Sequence, residues 1–447
     1  MPEPRIEELV RHYMALEVPE PIPRDMLFHF PSPKRCATII GPRRAGKTYF
    51  LYQLLRGLRS REGEGPSFHM NLEDDRLAPS DATTLDAVWR AFREARPSVK
   101  GVTTHVFLDE VQAVEGWEKF VRRIIDTEDV QVYLTGSSSK LLSTEIATVM
   151  RGRSLTFTLL PFSFREALRA RRPDLGPGPA YDGRAAIMNE LGVYMTYGGF
   201  PEVVLLEDAG ARVGTLREYV ELMLMRDVVE RHGIRNIALI RRLLSDLLSS
   251  MGAQFSVNKY RNHLGSMGMR VSKNTLYEYM GHLEDAFIIH PLRAFSRSGR
   301  ERSRSLPKVY PIDPGLSLQA GGRVSQDLGR RMECVAALEL LRRSLDDRLS
   351  EVLYWRDPFG REVDFVVLRG GEAVRLVQCC YDISEFGAKE RELGAIVRAS
   401  RELGCDDLLV LTWDREGEET VEGRRVVYEP LWRWLLAAPE DARRSDR

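Results

Sequence analysis

The feature that most constrains the fold is a glycine-bounded loop between a strand and a helix. The segment RCATIIGPRRAGKTYFLYQLL starts as a short β-rich run, turns between Gly41 and Gly46, and continues with the apolar periodicity of a helix. The spacing GxxxxGK[ST] in this setting is the P-loop pattern. Backbone amides of such a loop and the positive end of its helix hold phosphate oxygens. The sequence therefore predicts a parallel α/β sheet that binds a nucleotide.

The loop residues have separate predicted roles. Lys47 is expected to reach the β- and γ-phosphates, and the hydroxyl of Thr48 is expected to ligate Mg²⁺. ATP and Mg²⁺ are therefore the cofactors that we expect. The predicted nucleotide-binding segment consists of Gly41, Pro42, Arg43, Arg44, Ala45, Gly46, Lys47, Thr48 and Tyr49.

Two further strands are expected to complete this site. THVFLDEVQ places Asp109 and Glu110 after an apolar run, which is typical of a buried parallel strand that delivers side chains to the sheet edge. We expect Asp109 to hold the magnesium shell and Glu110 to polarise the attacking water. VQVYLTGSSS is expected between the other two strands. Its Thr135 or Ser137 is predicted to orient the water, although serine and threonine are also ordinary turn residues.

Composition limits the partners and the compartment. Lys+Arg and Asp+Glu both total 65, so any affinity for nucleic acid must come from a local patch. The five cysteines show neither a disulfide framework nor zinc-ligand spacing. An acidic amino terminus and the lack of an 18-residue apolar run predict a cytoplasmic protein that does not span a membrane.

The middle of the chain is predicted to be helical. Residues 163–235 are expected to be helical, and residues 236–308 are expected to form a winged helix-turn-helix, because a short glycine-containing turn separates the last two of its three helical stretches. Lys273, Asn274 and Tyr277, near the start of the third helix, are predicted to contact DNA. An ordinary three-helix packing module is the alternative.

A basic segment, LRAFSRSGRERSRSLPK, follows these helices. Between Arg293 and Lys308 it has six cations against the single Glu301, an excess of 6 − 1 = +5. We expect a flexible wing that tracks the phosphate backbone of DNA, with a solvated charged loop as the alternative. The predicted DNA-contacting arginines are Arg297, Arg300, Arg302 and Arg304.

Residues 309–447 have the pattern of a nuclease-like domain. A helix with Glu333 precedes three successive strands and a second helix, which is the order of the restriction-endonuclease-like core with its PD-(D/E)xK motif. Glu333 and Asp364 fit the positions of magnesium ligands. Gln378 stands where an acid is more usual and is predicted as the third metal ligand. Cys380 stands where the lysine of the motif belongs.

The missing lysine predicts a degenerate nuclease. A cysteine does not supply a fixed positive charge, and an amide attracts a hard divalent cation more weakly than a carboxylate does. We therefore expect the fold to be kept for binding while hydrolysis is reduced or lost. Lys389 or Arg391, on the next helix, is the alternative source of the cation.

Five motifs together resemble a known family. The P-loop, FLDEVQ, YLTGSSS, RGRSLTFTLLPFSFREAL and YGGFPEVV occur in the order seen in archaeal and bacterial AAA-type ATPases that carry a carboxy-terminal domain of uncharacterised function. The resemblance begins at about residue 35. It implies an ATPase core over 35–162, after an amino-terminal helical extension over 1–34 and before a helical lid over 163–235. It also implies homo-oligomers in which Arg153, or failing that Arg151, reaches the γ-phosphate of a neighbouring subunit; a structural salt bridge is the alternative for Arg153.

The expected fold class is thus α/β, comprising a P-loop AAA-type parallel sheet with a helical lid, a winged helix-turn-helix and a carboxy-terminal restriction-endonuclease-like α/β domain. The leading functional hypothesis is an ATPase that binds duplex or branched DNA and couples hydrolysis to action on it. Two alternatives remain: a regulatory nucleotide switch that docks a partner protein, and an active structure-specific nuclease.

Overall fold

The computed structural model describes residues 3–28, 34–60, 65–77, 81–97, 101–136, 150, 152–175, 183–319, 328–382 and 386–437. The chain divides into two compact units, Met1–Leu160 and Pro161–Arg447. Among the described helices, none is both long and apolar enough to cross a membrane.

The first unit is built on a five-stranded parallel sheet. Its strands are β1 (Cys36–Ile40), β2 (Ser67–Asn71), β3 (Thr104–Asp109), β4 (Val130–Thr135) and β5 (Ser154–Thr158). Their order is β2-β3-β4-β1-β5, so β4 lies between β3 and β1, which confirms the position expected for the third strand. β1, β3 and β4 are buried along their full length, as apolar runs covered on both faces should be.

The helices of this unit are α1 (Glu3–Ala15), α2 (Lys47–Arg59), α3 (Ala82–Ala95) and α4 (Trp117–Thr127). Phe50 and Leu51 of α2 pack in one core cluster with Phe107 and Tyr133 of the sheet. This packing fixes the start of α2 above the carboxyl ends of the strands, where the predicted site residues lie.

The second unit begins with helices in the region expected to form a lid. They are α5 (Phe164–Arg171), α6 (Arg184–Tyr197), α7 (Pro201–Leu205) and α8 (Ala209–Leu222). In the YGGFP motif, the amide of Gly199 donates to the buried carboxylate of Asp313 at 2.6 Å. A side chain at Gly198 would collide with the same carboxylate, so the motif marks a close packing point of the backbone.

Three helices and a small sheet follow. They are α9 (Ile237–Ser249), α10 (Val257–Ser266), α11 (Lys273–Asp285) and the antiparallel pair β6 (Ile289–Leu292) and β7 (Lys308–Pro311). Between β6 and β7, Ser298 caps a short helix, α12 (Gly299–Arg304), so the expected flexible wing is a structured connection. The boundary that we expected between residues 308 and 309 falls inside β7.

The second unit ends in a six-stranded mixed sheet. Its elements are α13 (Leu328–Asp346), β8 (Ser350–Arg356), β9 (Glu362–Arg369), β10 (Glu372–Cys380), α14 (Phe386–Leu403), β11 (Leu408–Thr412), β12 (Gly417–Val421), β13 (Arg424–Pro430) and α15 (Leu431–Leu436). The strand order is β12-β13-β11-β10-β9-β8. β8, β9 and β10 form an antiparallel meander, and β11 pairs with β10 in parallel, so the sheet extends past the three strands expected from the sequence.

Candidate nucleotide site and acidic cluster

The predicted phosphate loop joins β1 to α2. Gly41 has φ +148°, and a Cβ atom there would lie 2.1 Å from the carbonyl oxygen of Leu159, so only glycine fits. Gly46 has φ 92° and is the N-cap of α2, and it supplies no side chain to the first amides of the helix. Pro42 and Ala45 are buried. The loop is thus shaped by backbone contacts, as a phosphate-binding loop requires.

Lys47 is buried at the start of α2. Its ammonium donates to the carbonyl oxygens of Gly41, at 3.1 Å, and Pro42, at 3.0 Å. These two carbonyl oxygens orient the ammonium of Lys47 at the start of the helix. Arg44 and Tyr49 are exposed, and Arg43 is half-buried.

Thr48 and Asp109 meet directly, although 61 residues separate them in the sequence. The hydroxyl of Thr48 donates to Asp109 Oδ2 at 2.7 Å. The other oxygen of Asp109 accepts a hydrogen bond from Thr135. Burial raises the pKa of Asp109, while the hydroxyls of Thr135 and Thr48 act in the opposite direction. The structure therefore joins the ends of β3, β4 and α2 through one buried carboxylate.

Glu110 is held by its backbone and by a neighbour. Its amide donates to Thr135 Oγ1 at 3.0 Å, and Gln112 donates to its carboxylate. Its φ of 55° lies in the left-handed region, which is uncommon for a residue other than glycine and costs about 1–3 kcal/mol. Such strain is found where surrounding contacts fix a side chain in one direction. Thr135 is thus a bridge between Asp109 and Glu110, a role beyond the water-orienting one predicted for it.

These residues fit a nucleoside triphosphate with its magnesium ion. Amides of α2 that lack a side-chain cap, beside a buried lysine, are suited to phosphate oxygens. Thr48 and Asp109 supply the hydroxyl and carboxylate oxygens that Mg²⁺ prefers, and Glu110 follows in the next position of the chain.

Two residues for which the sequence predicted no role also belong to this region. Arg24 donates to the carbonyl oxygen of Ala45 at 2.9 Å and to that of Leu160 at 2.6 Å, so the expected amino-terminal extension braces the loop. Burial and Glu110 raise the pKa of Glu73, which indicates that a third carboxylate lies near the site. Arg24 stands in no recognisable motif, and Glu73 lies in the acidic segment NLEDDRL, for which no role was predicted.

Of the remaining predicted catalytic residues, the structure describes only Arg153. Ser137 and Arg151 lie outside the described residues. Arg153 immediately precedes β5 and forms an ion pair with Asp126 on α4. The salt-bridge alternative is therefore present within one chain, and a role in a neighbouring subunit stays a prediction.

The predicted DNA-contacting side chains are mostly exposed. Ser272 caps α11 by accepting from the amide of Thr275 at 3.0 Å, and Lys273, Asn274 and Tyr277 of its first turns face solvent. Exposed arginines of the segment between β6 and β7 are Arg293, Arg297, Arg300 and Arg304.

Two cations of this segment are placed differently from the expectation. Arg302 Nη1 lies 2.8 and 2.7 Å from the two carboxylate oxygens of Glu351, on β8. Lys308 is only 3% exposed and does not extend into solvent. Both side chains pair with carboxylates of the six-stranded sheet, so the outward charge of this segment is smaller than the sequence indicates.

Lys308 contacts the residues that were predicted to bind metal. Its ammonium lies 2.8 Å from Glu333 Oε1 on α13, 2.7 Å from Glu362 Oε1 on β9 and 2.9 Å from Asp364 Oδ1 on β9. We call these three carboxylates the acidic cluster. Tyr310 also donates to Glu333 Oε1, at 2.6 Å. Glu333 and Asp364 were predicted from the sequence, whereas Glu362 and Lys308 were missed.

Gln378 lies beside the acidic cluster in an orientation that the metal-ligand prediction did not expect. Its amide nitrogen donates to Asp364 Oδ2 at 2.9 Å and to Glu392 Oε2 at 2.7 Å. Its oxygen accepts from the backbone amide of Asp364 at 3.2 Å. Because both carboxylates need a donor, the opposite amide orientation would place oxygen against oxygen.

The alternative cations on α14 are engaged with other acids. Lys389 lies 2.8 Å from Glu419, on β12, and Arg391 lies 2.8 Å from Glu392. The cation that approaches Asp364 therefore comes from the first residue of β7, which was expected to end the basic segment.

Two known families match separate parts of the chain. A family described as "AAA domain" matches residues 33–168, and a "Domain of unknown function (DUF8612)" matches residues 188–327. The match and the parallel sheet define the class of this protein: it carries an AAA-type ATPase domain.

Two curated relatives extend over most of the chain. The uncharacterized protein MJ1544 of Methanocaldococcus jannaschii is 35% identical over 410 residues, which is 90% of this chain and 89% of the relative. An uncharacterized protein of Haemophilus influenzae is 26% identical over 348 residues, which is 78% of this chain and 82% of the relative. The chain belongs to the family of MJ1544.

Solved structures give weaker similarities. The chain is similar to C. elegans PCH-2 over 43% of its length and 55% of that chain, with a TM-score of 0.26 and 14% identity. It is similar to the Drosophila ORC bound to AT-rich DNA and Cdc6 over 71% of its length and 92% of that chain, with a TM-score of 0.20 and 10% identity. Scores this low carry no argument about function.

Proposed function

We propose that this protein hydrolyses ATP at the loop of residues 41–48 and couples hydrolysis to the binding of DNA by the unit Pro161–Arg447. The observation that carries the first half is the hydrogen bond from Thr48 to the buried carboxylate of Asp109. It brings the predicted magnesium ligands of two separate motifs to one point, beside Lys47.

The chain's own residues divide the chemistry among them. Thr48 and Asp109 would hold Mg²⁺, which would neutralise phosphate charge when it is bound with ATP. The loop amides and Lys47 bind and orient the phosphates. Glu110 accepts the proton of the attacking water, and its carboxylate is directed by Gln112. Thr135 fixes the position of Glu110 relative to Asp109. Its hydroxyl accepts a hydrogen bond from the backbone amide of Glu110 and donates one to the carboxylate of Asp109.

The second half of the proposal rests on the described surface of the second unit. The order of α9, α10, α11, β6 and β7 supports a winged helix-turn-helix, with Lys273, Asn274 and Tyr277 at the start of its recognition helix. Arg297, Arg300 and Arg304 add exposed positive charge for phosphates. The helices α13 and α14 and the meander β8–β10 support a restriction-endonuclease-like core.

A homo-oligomer is part of the same proposal. Arg153 would leave Asp126 and contact the γ-phosphate in a neighbouring subunit, which in related chemistry is worth about 10³ to 10⁵ in rate. If so, mixing Arg153→Ala with the wild-type protein lowers the wild-type rate. A mixture whose rate equals the sum of its parts would remove this role.

The test is the rate of ATP hydrolysis by the full chain without DNA and with duplex, single-stranded and four-way DNA, together with its mass in solution. We expect hydrolysis that DNA stimulates and that Lys47→Ala abolishes. Lys119→Ala, an exposed lysine of the same unit, is the matched control and should leave the rate unchanged.

Two outcomes would contradict the proposal in different ways. Hydrolysis that survives Lys47→Ala would mean that the loop of residues 41–48 is not the site of ATP hydrolysis. Hydrolysis that requires Lys47 but responds to none of the three DNA forms would keep the ATPase and favour a switch that docks a protein partner.

A further inference from the structure

The ammonium of Lys308 is fully engaged by the acidic cluster. A lysine has three N–H donors, and Lys308 Nζ has three carboxylate oxygens at 2.7 to 2.9 Å, the distances of charge-assisted hydrogen bonds. The acceptors come from α13 and β9, while Lys308 comes from β7. Each proton of the ammonium thus has its own carboxylate.

Two of the three remaining oxygens of the cluster also have donors. Asp364 Oδ2 accepts from Gln378 Nε2 at 2.9 Å and from the amide of Cys379 at 3.0 Å. Glu362 Oε2 accepts from Gln254 Nε2 at 2.8 Å. These groups present hydrogen atoms to the oxygens that a metal would need.

The residues therefore do not fit the divalent cation that a restriction-endonuclease-like fold implies. Mg²⁺ requires near-octahedral oxygen ligands at about 2.0–2.1 Å, whereas these oxygens surround an ammonium and the amide group of Gln378. Within the described parts of the chain, there is no group of three or more His, Cys, Asp or Glu side chains that could hold a metal ion.

The charge of Lys308 is stable in this position. Burial alone would lower its pKa, but Asp364, Tyr310, Glu333 and Glu362 together raise the pKa well above its ordinary value. The ammonium therefore stays protonated wherever the chain is folded near neutral pH, and it acts as a fixed cation.

We propose that Lys308 is the resident cation of the acidic cluster in place of a divalent metal, and that the cluster joins β7 to the six-stranded sheet and does not cleave DNA. Backbone contacts support the same junction: the amide of Phe295 donates to the carbonyl of Tyr354 at 2.6 Å, and that of Tyr354 donates to Arg293 at 3.0 Å. The junction fixes the arginine-bearing helix α12 beside β8. This inference is independent of ATP hydrolysis.

The test uses Mn²⁺ as the probe and the nucleotide-free full chain, with the thermal unfolding midpoint as the readout. The wild-type midpoint should not change with Mn²⁺. Lys308→Met leaves three carboxylates without their cation, so Mn²⁺ should raise its midpoint by several degrees. Adding Asp364→Asn to Lys308→Met should remove that response. Lys389→Met, which removes a lysine paired with the single Glu419, is the matched control and should show no response.

Several results would overturn the proposal. One is a wild-type Mn²⁺ response that Asp364→Asn abolishes, and another is a folded Lys308→Met that gains no response. Mn²⁺-dependent cleavage of DNA by the wild type that Asp364→Asn removes would also contradict it.

If Lys308→Met does not fold, electron paramagnetic resonance can count Mn²⁺ bound to the wild type and to Asp364→Asn. Equal counts support the proposal, and a lower count for Asp364→Asn overturns it.

Discussion

Two lysines, one in each unit, show how the same side chain serves opposite purposes. Lys47 and Lys308 are the lysines that are buried in the described part of the chain. Lys47 donates to two neutral backbone carbonyls at the start of a helix. Lys308 donates to three carboxylates on two elements. The three carboxylates around Lys308 offset its attraction for an incoming anion, whereas the two carbonyls that accept from Lys47 carry no charge.

The acids beside these lysines differ in the same way. Asp109 accepts from two threonine hydroxyls, which are groups that can rearrange around a magnesium ion. Asp364 accepts from an ammonium, an amide side chain and a backbone amide. The first arrangement is suited to binding a metal with its nucleotide, and we call the residues around Lys47 and Asp109 the open site. In the second, donors already occupy the oxygens of Asp364, and we call the acidic cluster with Lys308 the closed site. The presence of acidic residues at motif positions therefore does not by itself indicate catalysis.

The largest expected effect is on hydrolysis at the open site. Glu110→Gln removes the proposed base for the attacking water but keeps the shape of the side chain, so kcat should fall by about 10²–10⁴-fold while ATP binding remains. A steady-state ATPase assay with a nucleotide-binding titration measures both quantities. Glu115→Gln, an exposed acid on the same unit, is the control. If Glu110→Gln hydrolyses ATP at the wild-type rate, another residue is the base.

The next effect is on the stability of the closed site. Lys308→Met leaves the buried carboxylate of Asp364 and the half-buried carboxylates of Glu333 and Glu362 without their cation, which should lower the free energy of unfolding by about 3–5 kcal/mol. Lys389→Met breaks a more exposed pair and should cost about 0–1 kcal/mol. Urea denaturation of the two variants compares them directly. Equal losses would show that the acidic cluster is an ordinary surface network.

A moderate effect is expected on DNA binding. Replacing Arg297, Arg300 and Arg304 with serine should reduce the salt dependence of duplex affinity by about 0.9 for each phosphate that is no longer neutralised. Fluorescence anisotropy at several salt concentrations gives the slope. Arg425→Ser, an exposed arginine paired with Glu418, is the matched control. An unchanged slope in the triple variant would place the DNA surface elsewhere.

The smallest expected effect is the loss of stability when Tyr310, which also contacts the acidic cluster, is changed and Lys308 is kept. Tyr310→Phe removes one hydrogen bond to Glu333 but leaves Lys308 in place, so it should cost about 1 kcal/mol of unfolding free energy. The same urea denaturation measures it. A loss as large as that of Lys308→Met would show that Tyr310, and not the ammonium, holds the cluster together.

The open site was largely predictable because its parts stand in two recognisable motifs, although 61 residues separate Thr48 from Asp109. Gly41 to Thr48 are consecutive, and Asp109 and Glu110 end an apolar strand, so spacing alone indicated which groups would meet. Parallel strands deliver their carboxyl ends to one edge of the sheet, and β4 lies where the sequence predicted it. Arg24 was missed because it reaches Ala45 from a segment without a motif.

The closed site was predictable only in part because its cation stands in no motif that points to the acidic residues. Lys308 is separated from Glu333 by 25 residues and from Asp364 by 56, and it follows a run of arginines that indicated a solvent-exposed wing. Helical and strand periodicity located Glu333 and Asp364, but periodicity gives no information about which distant side chain lies between them. Only the tertiary structure shows that β7 faces the acidic cluster.

The most direct test of the contrast between the open and closed sites is the number of Mn²⁺ ions bound by the full chain with a non-hydrolysable ATP analogue. We expect that Mn²⁺ binds only together with nucleotide, that Asp109→Asn abolishes this binding, and that Asp364→Asn leaves it unchanged. Mn²⁺ that binds without nucleotide, persists in Asp109→Asn and disappears in Asp364→Asn would contradict the assignment of both sites.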